Sequence, residues 1–206
     1  RNLIKRIWPY QLPNMDPETL ARLVFCFENH PEREDGIISG AQDAIGICVP
    51  GLCRHYYDNH FWPERLETCE DEEILQWLER HLCMIPMEPR CPGCSVVEGQ
   101  DITPGKVRAL AASAERCWTA IMNMDLAAFA TAYKDSFHAQ VAMFPAMIQG
   151  SVPDYIEKYS AMEDVLAWKM PGAGGGGYLA VVVKNAGEFC NAHPEAIELR
   201  IRRSGM

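Results

Sequence analysis

The stretch KMPGAGGGGYLAVVV, residues 169–183, places five glycines within the seven positions 171–177 and then runs into six consecutive apolar residues, Tyr178 to Val183. A flexible linker would carry serine or charge on both sides and would not continue into Leu179-Ala180-Val181-Val182-Val183, which reads as a buried strand. The preceding segment, Pro153 to Trp168, reads as a short helix, so the expected order is helix, glycines, then a strand from Tyr178 to Lys184. A Walker phosphate loop is excluded because no Gly-Lys-Ser/Thr follows, and a dinucleotide fingerprint needs the reverse order of elements. There remains a bend in which missing side chains let the backbone lie close to a ligand or to another segment. One or two glycines would serve a simple helix-to-strand turn, and here there are five.

Outward from that stretch, the chain of 206 residues is 48% hydrophobic, enough for one large core or two smaller ones. Its longest apolar run is the six residues Tyr178 to Val183, against roughly 18 for a membrane span. No membrane partner is expected. The sequence opens on Arg1 without a signal peptide and reads as a processed or excised part of something longer. A net charge of −9 argues against a nucleic-acid partner, because phosphate neutralisation needs a basic face. Arg200, Arg202 and Arg203 alternate with Ile197, Leu199 and Ile201 as the wet face of a half-buried strand does. The nine cysteines follow no disulfide framework and suggest reduced thiols and a cytoplasmic location. Cys91-Pro-Gly-Cys94 has the spacing of a zinc or redox pair, but no second ligand pair accompanies it and the prolines around it make it a loop. No metal site is assigned.

Asp16 and Pro17 read as the cap and first position of a helix with Leu20, Leu23, Val24 and Phe27 on its buried side. A Gly-bounded element runs from Ser39 to Pro50-Gly51. Leu52 to Asp58 and Phe61 to Thr68, separated by Asn59-His60, form a predicted hairpin, with Arg54 and Tyr56 on one face. The acidic run Glu70 to Glu73 opens a helix whose dipole favours negative charge there, and Leu82 to Met87 is a predicted strand. Two long helices follow. Val107, Leu110, Ala111, Ala114, Cys117, Trp118, Ile121 and Met122 repeat at helical spacing in the first. Leu126, Phe129, Ala130, Tyr133, Phe137, Val141 and Phe144 do so in the second. Only Asn123-Met124-Asp125 separates them, which predicts an antiparallel helical hairpin. A last strand is expected from Ala196 to Arg203, and the composition shifts across the loop from Arg90 to Pro104.

Lys169-Met170-Pro171-Gly172-Ala173-Gly174-Gly175-Gly176-Gly177-Tyr178 resembles the third motif of the GHMP kinases, the superfamily of galactokinase, homoserine kinase, mevalonate kinase and phosphomevalonate kinase. Ser39-Gly40-Ala41-Gln42-Asp43-Ala44-Ile45-Gly46 is similar to the segment carrying the catalytic aspartate in the sugar-kinase branch, on its fucokinase and heptose-phosphate kinase side. The order matches too, with the aspartate first, the helical hairpin next and the glycines late. The family's first motif and its Gly-Leu-Gly-Ser-Ser-type phosphate loop are missing, and 42 residues before Asp43 are too few to hold them. The chain therefore resembles the C-terminal part of such a kinase.

That resemblance implies an α+β architecture. Residues 1–81 would complete the family's N-terminal sheet domain, and residues 82–206 would form a C-terminal domain with a helical hairpin packed on an antiparallel sheet. It implies transfer of the γ-phosphoryl group of ATP, with Mg²⁺, to a hydroxyl of a fucose-like or heptose-phosphate-like sugar. The partners would be that substrate, ATP and the missing N-terminal part. Asp43 would be the catalytic carboxylate, taking or orienting the acceptor proton. Gly40 and Gln42 would bind the acceptor beside Asp43, and the backbone of Gly172, Ala173, Gly174, Gly175 and Gly176 would edge the sugar and phosphate site. Read without the resemblance, Asp43 is an ordinary helix-capping aspartate. A non-catalytic binding or regulatory domain that keeps the kinase fold is the competing functional reading.

Overall fold

Asp16 and Pro17 start a helix by the chemistry expected of them. In the computed structural model of the protein, which describes residues 15–30, 38–90 and 95–204, Asp16 Oδ1 accepts the Thr19 N–H at 2.9 Å. Pro17 takes the first helical position, where its missing N–H costs nothing. Helix α1 (Pro17–Glu28) is followed by α2 (Ala41–Cys48). Asn29 ties the two together, accepting the Ser39 N–H at 2.7 Å and donating to the Phe25 carbonyl at 2.9 Å.

The chain divides into two compact units, one of residues up to Leu75 together with those from Ile201 onward, the other Gln76–Arg200. In the first unit, Ala21 and Val24 of α1 pack on Ala41, Ala44, Ile45, Cys48 and Val49. Small residues dominate this contact, so the helices approach closely. Phe27, expected inside, is 53% exposed; the buried stripe runs through Ala21 and Val24 instead. Strands β1 (Leu52–Tyr56) and β2 (Arg65–Cys69) pair antiparallel, Leu52 opposite Cys69. The expected hairpin is present, but its loop is longer than Asn59-His60. Asn59 turns left-handed at φ 54°, and the Glu64 N–H closes the loop on the Tyr56 carbonyl at 2.8 Å.

Helix α3 (Glu72–Glu79) begins where Asp71 Oδ1 accepts the Glu73 and Ile74 N–H groups at 2.9 and 3.3 Å. In the second unit, β3 (Leu82–Pro86), β4 (Val165–Lys169), β5 (Tyr178–Val183) and the two-residue β6 (Ile197–Glu198) form one antiparallel sheet in the order β4-β5-β3-β6. Helices α4 (Pro104–Met122) and α5 (Leu126–Met143) make the predicted hairpin. Helix α6 (Val152–Ser160) precedes β4, and α7 (Ala186–Ala192) follows β5. Leu179, Val181 and Val183 enter a core with Ile85, Phe137, Met147, Val152, Tyr159, Met170 and Phe189. Ala180 and Val182 are buried as well, which is why β5 reads as an unbroken apolar run.

Three expectations change here. Pro153 to Trp168 is not one helix: α6 stops at Ser160, and Val165–Lys169 is a strand paired with β5. The glycines therefore join two antiparallel strands. The strand expected from Ala196 to Arg203 shrinks to Ile197–Glu198, because the residues from Ile201 leave for the first unit. There the Gly51 N–H donates to the Arg202 carbonyl at 2.8 Å, and Arg203 pairs with Glu72 at 2.9 Å. The apolar repeat of α4 is only partly interior. Val107 is 46% exposed, while Ser113 and Ala120 are buried. Ser113 satisfies its hydroxyl on the Leu110 carbonyl at 2.7 Å, so a small polar residue can be buried there. The Arg90 to Pro104 loop lies within the second unit, and Cys91 and Cys94 lie outside the described residues.

Candidate active site

The expected site residues fall in both units. In the first, Gly40 is the N-cap of α2 and contributes no side-chain cap. Gln42 and Asp43 occupy the first turn and are exposed. The Gln42 amide folds back over Gly40, where an added Cβ would collide with Gln42 Oε1. Gly40 thus leaves room for the amide next to Asp43. Asp43 is not the cap, which removes the ordinary capping role. Among the described residues its carboxylate makes no hydrogen bond or ion pair, and it stands where the helix dipole favours a negative charge. On the hairpin, the Arg54 guanidinium lies over the Tyr56 ring at 4.5 Å and the Tyr56 hydroxyl donates to Glu67 at 2.5 Å. That face is engaged with itself.

In the second unit the glycine run bends between β4 and β5. Gly172, Gly174, Gly175, Gly176 and Gly177 all have positive φ, from 63° to 142°, a region that side chains disfavour. Three of them also lie close against the protein's own chain. A Cβ at Gly176 would stand 2.7 Å from the Glu88 carbonyl and 2.8 Å from the Arg90 nitrogen, and one at Gly174 would stand 2.9 Å from Met147. The Gly175 N–H donates to the Met147 carbonyl and the Gly177 N–H to the Glu88 carbonyl, each at 2.9 Å. Arg90 Nε holds the Gly174 carbonyl at 3.0 Å.

The bend is therefore seated on the segment Glu88–Arg90 and on Met147, and it presents a tip. Gly172 and Ala173 are exposed, whereas Gly174 and Gly175 are buried. The Gly175 N–H, expected to edge the site, is engaged internally. Among the described residues the N–H groups of Gly172, Ala173, Gly174 and Gly176 have no acceptor.

Behind the tip, Lys169 Nζ donates to Ser136 Oγ and to Gln140 Oε1, both at 2.8 Å. Gln140 Nε2 donates in turn to the Gly172 carbonyl at 3.2 Å. Burial pulls the Lys169 amine down to about 8, since desolvation disfavours the ammonium form. Among the described residues no group of three or more His, Cys, Asp or Glu side chains gathers as a metal-ligand set. No helix there is long and apolar enough to cross a membrane.

No family model and no curated protein matches the sequence. Solved structures do match. A Campylobacter jejuni protein described as a sugar kinase superposes with a TM-score of 0.63 at 17% identity, over 97% of this chain and 60% of that one. A D-glycero-D-manno-heptose 1-phosphate kinase from Bacteroides thetaiotaomicron gives 0.61 at 16%, over 98% and 57%. A mevalonate kinase gives 0.54 at 14%, over 98% and 61%.

The fold is that of the GHMP kinases. The chain spans about three fifths of the length of these solved chains, 57–61%. Within this GHMP kinase fold, sequence reasoning found the bend and missed what holds it. Lys169 was legible as the lead of the motif, and Gln140 and Ser136 as polar interruptions of α5. Nothing in the linear pattern joins them, because they lie 29 and 33 positions from Lys169 and meet it only when α5 packs on β4.

Proposed function

We propose that the protein is the C-terminal portion of an ATP-dependent GHMP-type sugar kinase, transferring the γ-phosphoryl group of ATP to a hydroxyl of a fucose-like or heptose-phosphate-like acceptor. The likeness to solved sugar, heptose-phosphate and mevalonate kinases over 97–98% of this chain carries the reading. Residues 1–81 would complete the N-terminal domain of that fold and residues 82–206 would form its C-terminal domain, apart from the residues from Ile201 onward, which belong to the first compact unit. A preceding segment would supply the phosphate loop.

Phosphoryl transfer asks for positioning and for groups that match developing charge, rather than covalent chemistry by the protein. Asp43 would accept or orient the acceptor proton; its exposed, uncommitted carboxylate supports this role. Gln42, with donor and acceptor atoms on one amide, suits hydroxyl recognition, and Gly40 gives it room. The unengaged N–H groups at Gly172 and Ala173 suit hydroxyl or phosphate oxygens. The described residues supply no carboxylate cluster for Mg²⁺, so no step is assigned to the metal on this chain.

The test is ATP consumption against a panel of sugars and sugar phosphates, with the chain joined to its upstream region. Turnover on one acceptor class is expected, with a loss of about 100-fold or more for Asp43→Asn, in line with general-base contributions. Equal activity of wild type and Asp43→Asn would remove Asp43 from the mechanism. Absence of turnover on every acceptor would favour the binding-domain reading.

A further inference from the structure

Gln140 is the single side-chain donor held onto the exposed tip of the glycine bend among the described residues, and Lys169 dictates which way that donor faces. An ammonium group can only donate and a carbonyl can only accept. With Gln140 Oε1 at 2.8 Å from Lys169 Nζ, Nε2 is the atom left for the Gly172 carbonyl at 3.2 Å. Turning the amide over would set NH₂ against the ammonium group and oxygen against oxygen. Both contacts would be repulsive. The other anchors, at Met147, Glu88 and Arg90, act on Gly174, Gly175 and Gly177, behind the tip.

We propose that Lys169 is a positioning residue for the tip: through Gln140 it holds the exposed Gly172 and Ala173, whose N–H groups have no acceptor among the described residues, in place. As a statement about phosphoryl transfer this rests on the kinase reading; as a statement about conformation it stands alone. The groups around the amine fit such a role. Ser136 and Gln140 on α5 are neutral acceptors, and Ala180 on β5, opposite Lys169, is apolar. Cys117 on α4 is the titratable group coupled to the amine, and burial pushes its thiol up to about 11, so it is neutral where the amine titrates. Lys134 turns to the Trp168 ring at 5.6 Å, and Arg116 pairs with Asp135 at 2.9 Å. With no carboxylate acting on it among the described residues, the ammonium group is directed onto the amide.

Nuclear magnetic relaxation of the full chain tests this in wild type, Gln140→Glu and Lys169→Met. Glu at position 140 keeps an acceptor for Lys169 but has no N–H for Gly172. Order parameters of Gly172 and Ala173 should fall below about 0.6 in both variants, while Gly175 and Gly177 stay near about 0.85. In wild type the Gln140 side-chain NH₂ resonances should follow the titration of Lys169, and in Lys169→Met that response should vanish. A lysine that merely fills space would leave the resonances still. If Lys169→Met does not fold, Gln140→Glu alone decides. A tip that stays rigid in Gln140→Glu, or a Gln140 amide indifferent to the Lys169 titration, overturns the proposal. In the kinase assay, Gln140→Glu should lower kcat about 10- to 100-fold, as misplacement of a positioned group does. A chain inactive on every acceptor defeats the kinase reading and leaves the relaxation result standing, whereas an active kinase whose tip does not loosen defeats the relay alone.

Discussion

At the scale of single residues, Lys169 carries an energetic signature of its burial. Its amine sits at about 8 in the folded protein against 10.5 for an ordinary lysine, chiefly through desolvation. Below about 8 both folded and unfolded chains hold the proton, and the full cost of burying the ammonium group is present. Between about 8 and 10.5 the unfolded chain binds more protons, so this residue's contribution to stability improves as pH rises. The difference in unfolding free energy between wild type and Lys169→Met should therefore shift in favour of wild type from about pH 7 to about pH 10. Urea denaturation at both pH values measures it. Thiols act oppositely: burial pushes Cys53 up to about 11 from 9.0, so its contribution is lost as pH rises. That effect is shared by both proteins and cancels. A difference that stays flat with pH would mean the amine is not buried as described.

At the scale of elements, the glycine bend is a seated segment with an open tip, and its glycines are not equivalent. At Gly176, φ is 142° and an added Cβ meets backbone atoms at 2.7 and 2.8 Å, which can move only by unseating the bend from Glu88–Arg90. Strain of about 1–3 kcal/mol adds there to overpacking of about 1–3 kcal/mol. At Gly172, φ is 63° and nothing lies within 4 Å of the added Cβ, leaving a conformational cost of about 1–2 kcal/mol. Gly176→Ala should accordingly destabilise the protein more than Gly172→Ala, as denaturant midpoints would record. The opposite ranking would show that the bend does not rest on Glu88–Arg90. Five glycines were readable as a demand for close backbone approach. Their partner was not: Met147 and Glu88 are brought beneath the bend only by the 3₁₀ turn Pro145–Met147 and by β3.

At the scale of the whole molecule, the first unit is built from two separated stretches of chain. The Arg202 carbonyl accepts the Gly51 N–H at 2.8 Å, Arg203 Nε donates to Glu72 at 3.0 Å, and Ser204 hydrogen-bonds Glu70. Removing the residues from Ile201 onward should speed amide hydrogen exchange at Gly51 and along β1, while Val181 in β5 keeps its protection. Equal loosening of both would contradict the division into units. The helical hairpin, the β1–β2 pair and β5 could be read directly from the sequence, because apolar spacing, capping as at Asp16, and turn residues act over a few neighbouring positions. So could the two GHMP-like segments, since each is contiguous. The β4 strand could not. No glycine or proline separates Val165-Leu166-Ala167-Trp168-Lys169 from the helix before it, and pairing with β5 decides its state, Trp168 opposite Val181. The same holds for the Lys169–Gln140–Gly172 relay, for the seat under the bend, and for the departure of Arg202 and Arg203 from β6. Local composition determines where a chain bends and which face is apolar; which distant backbone meets that bend is settled only when the sheet and its helices pack.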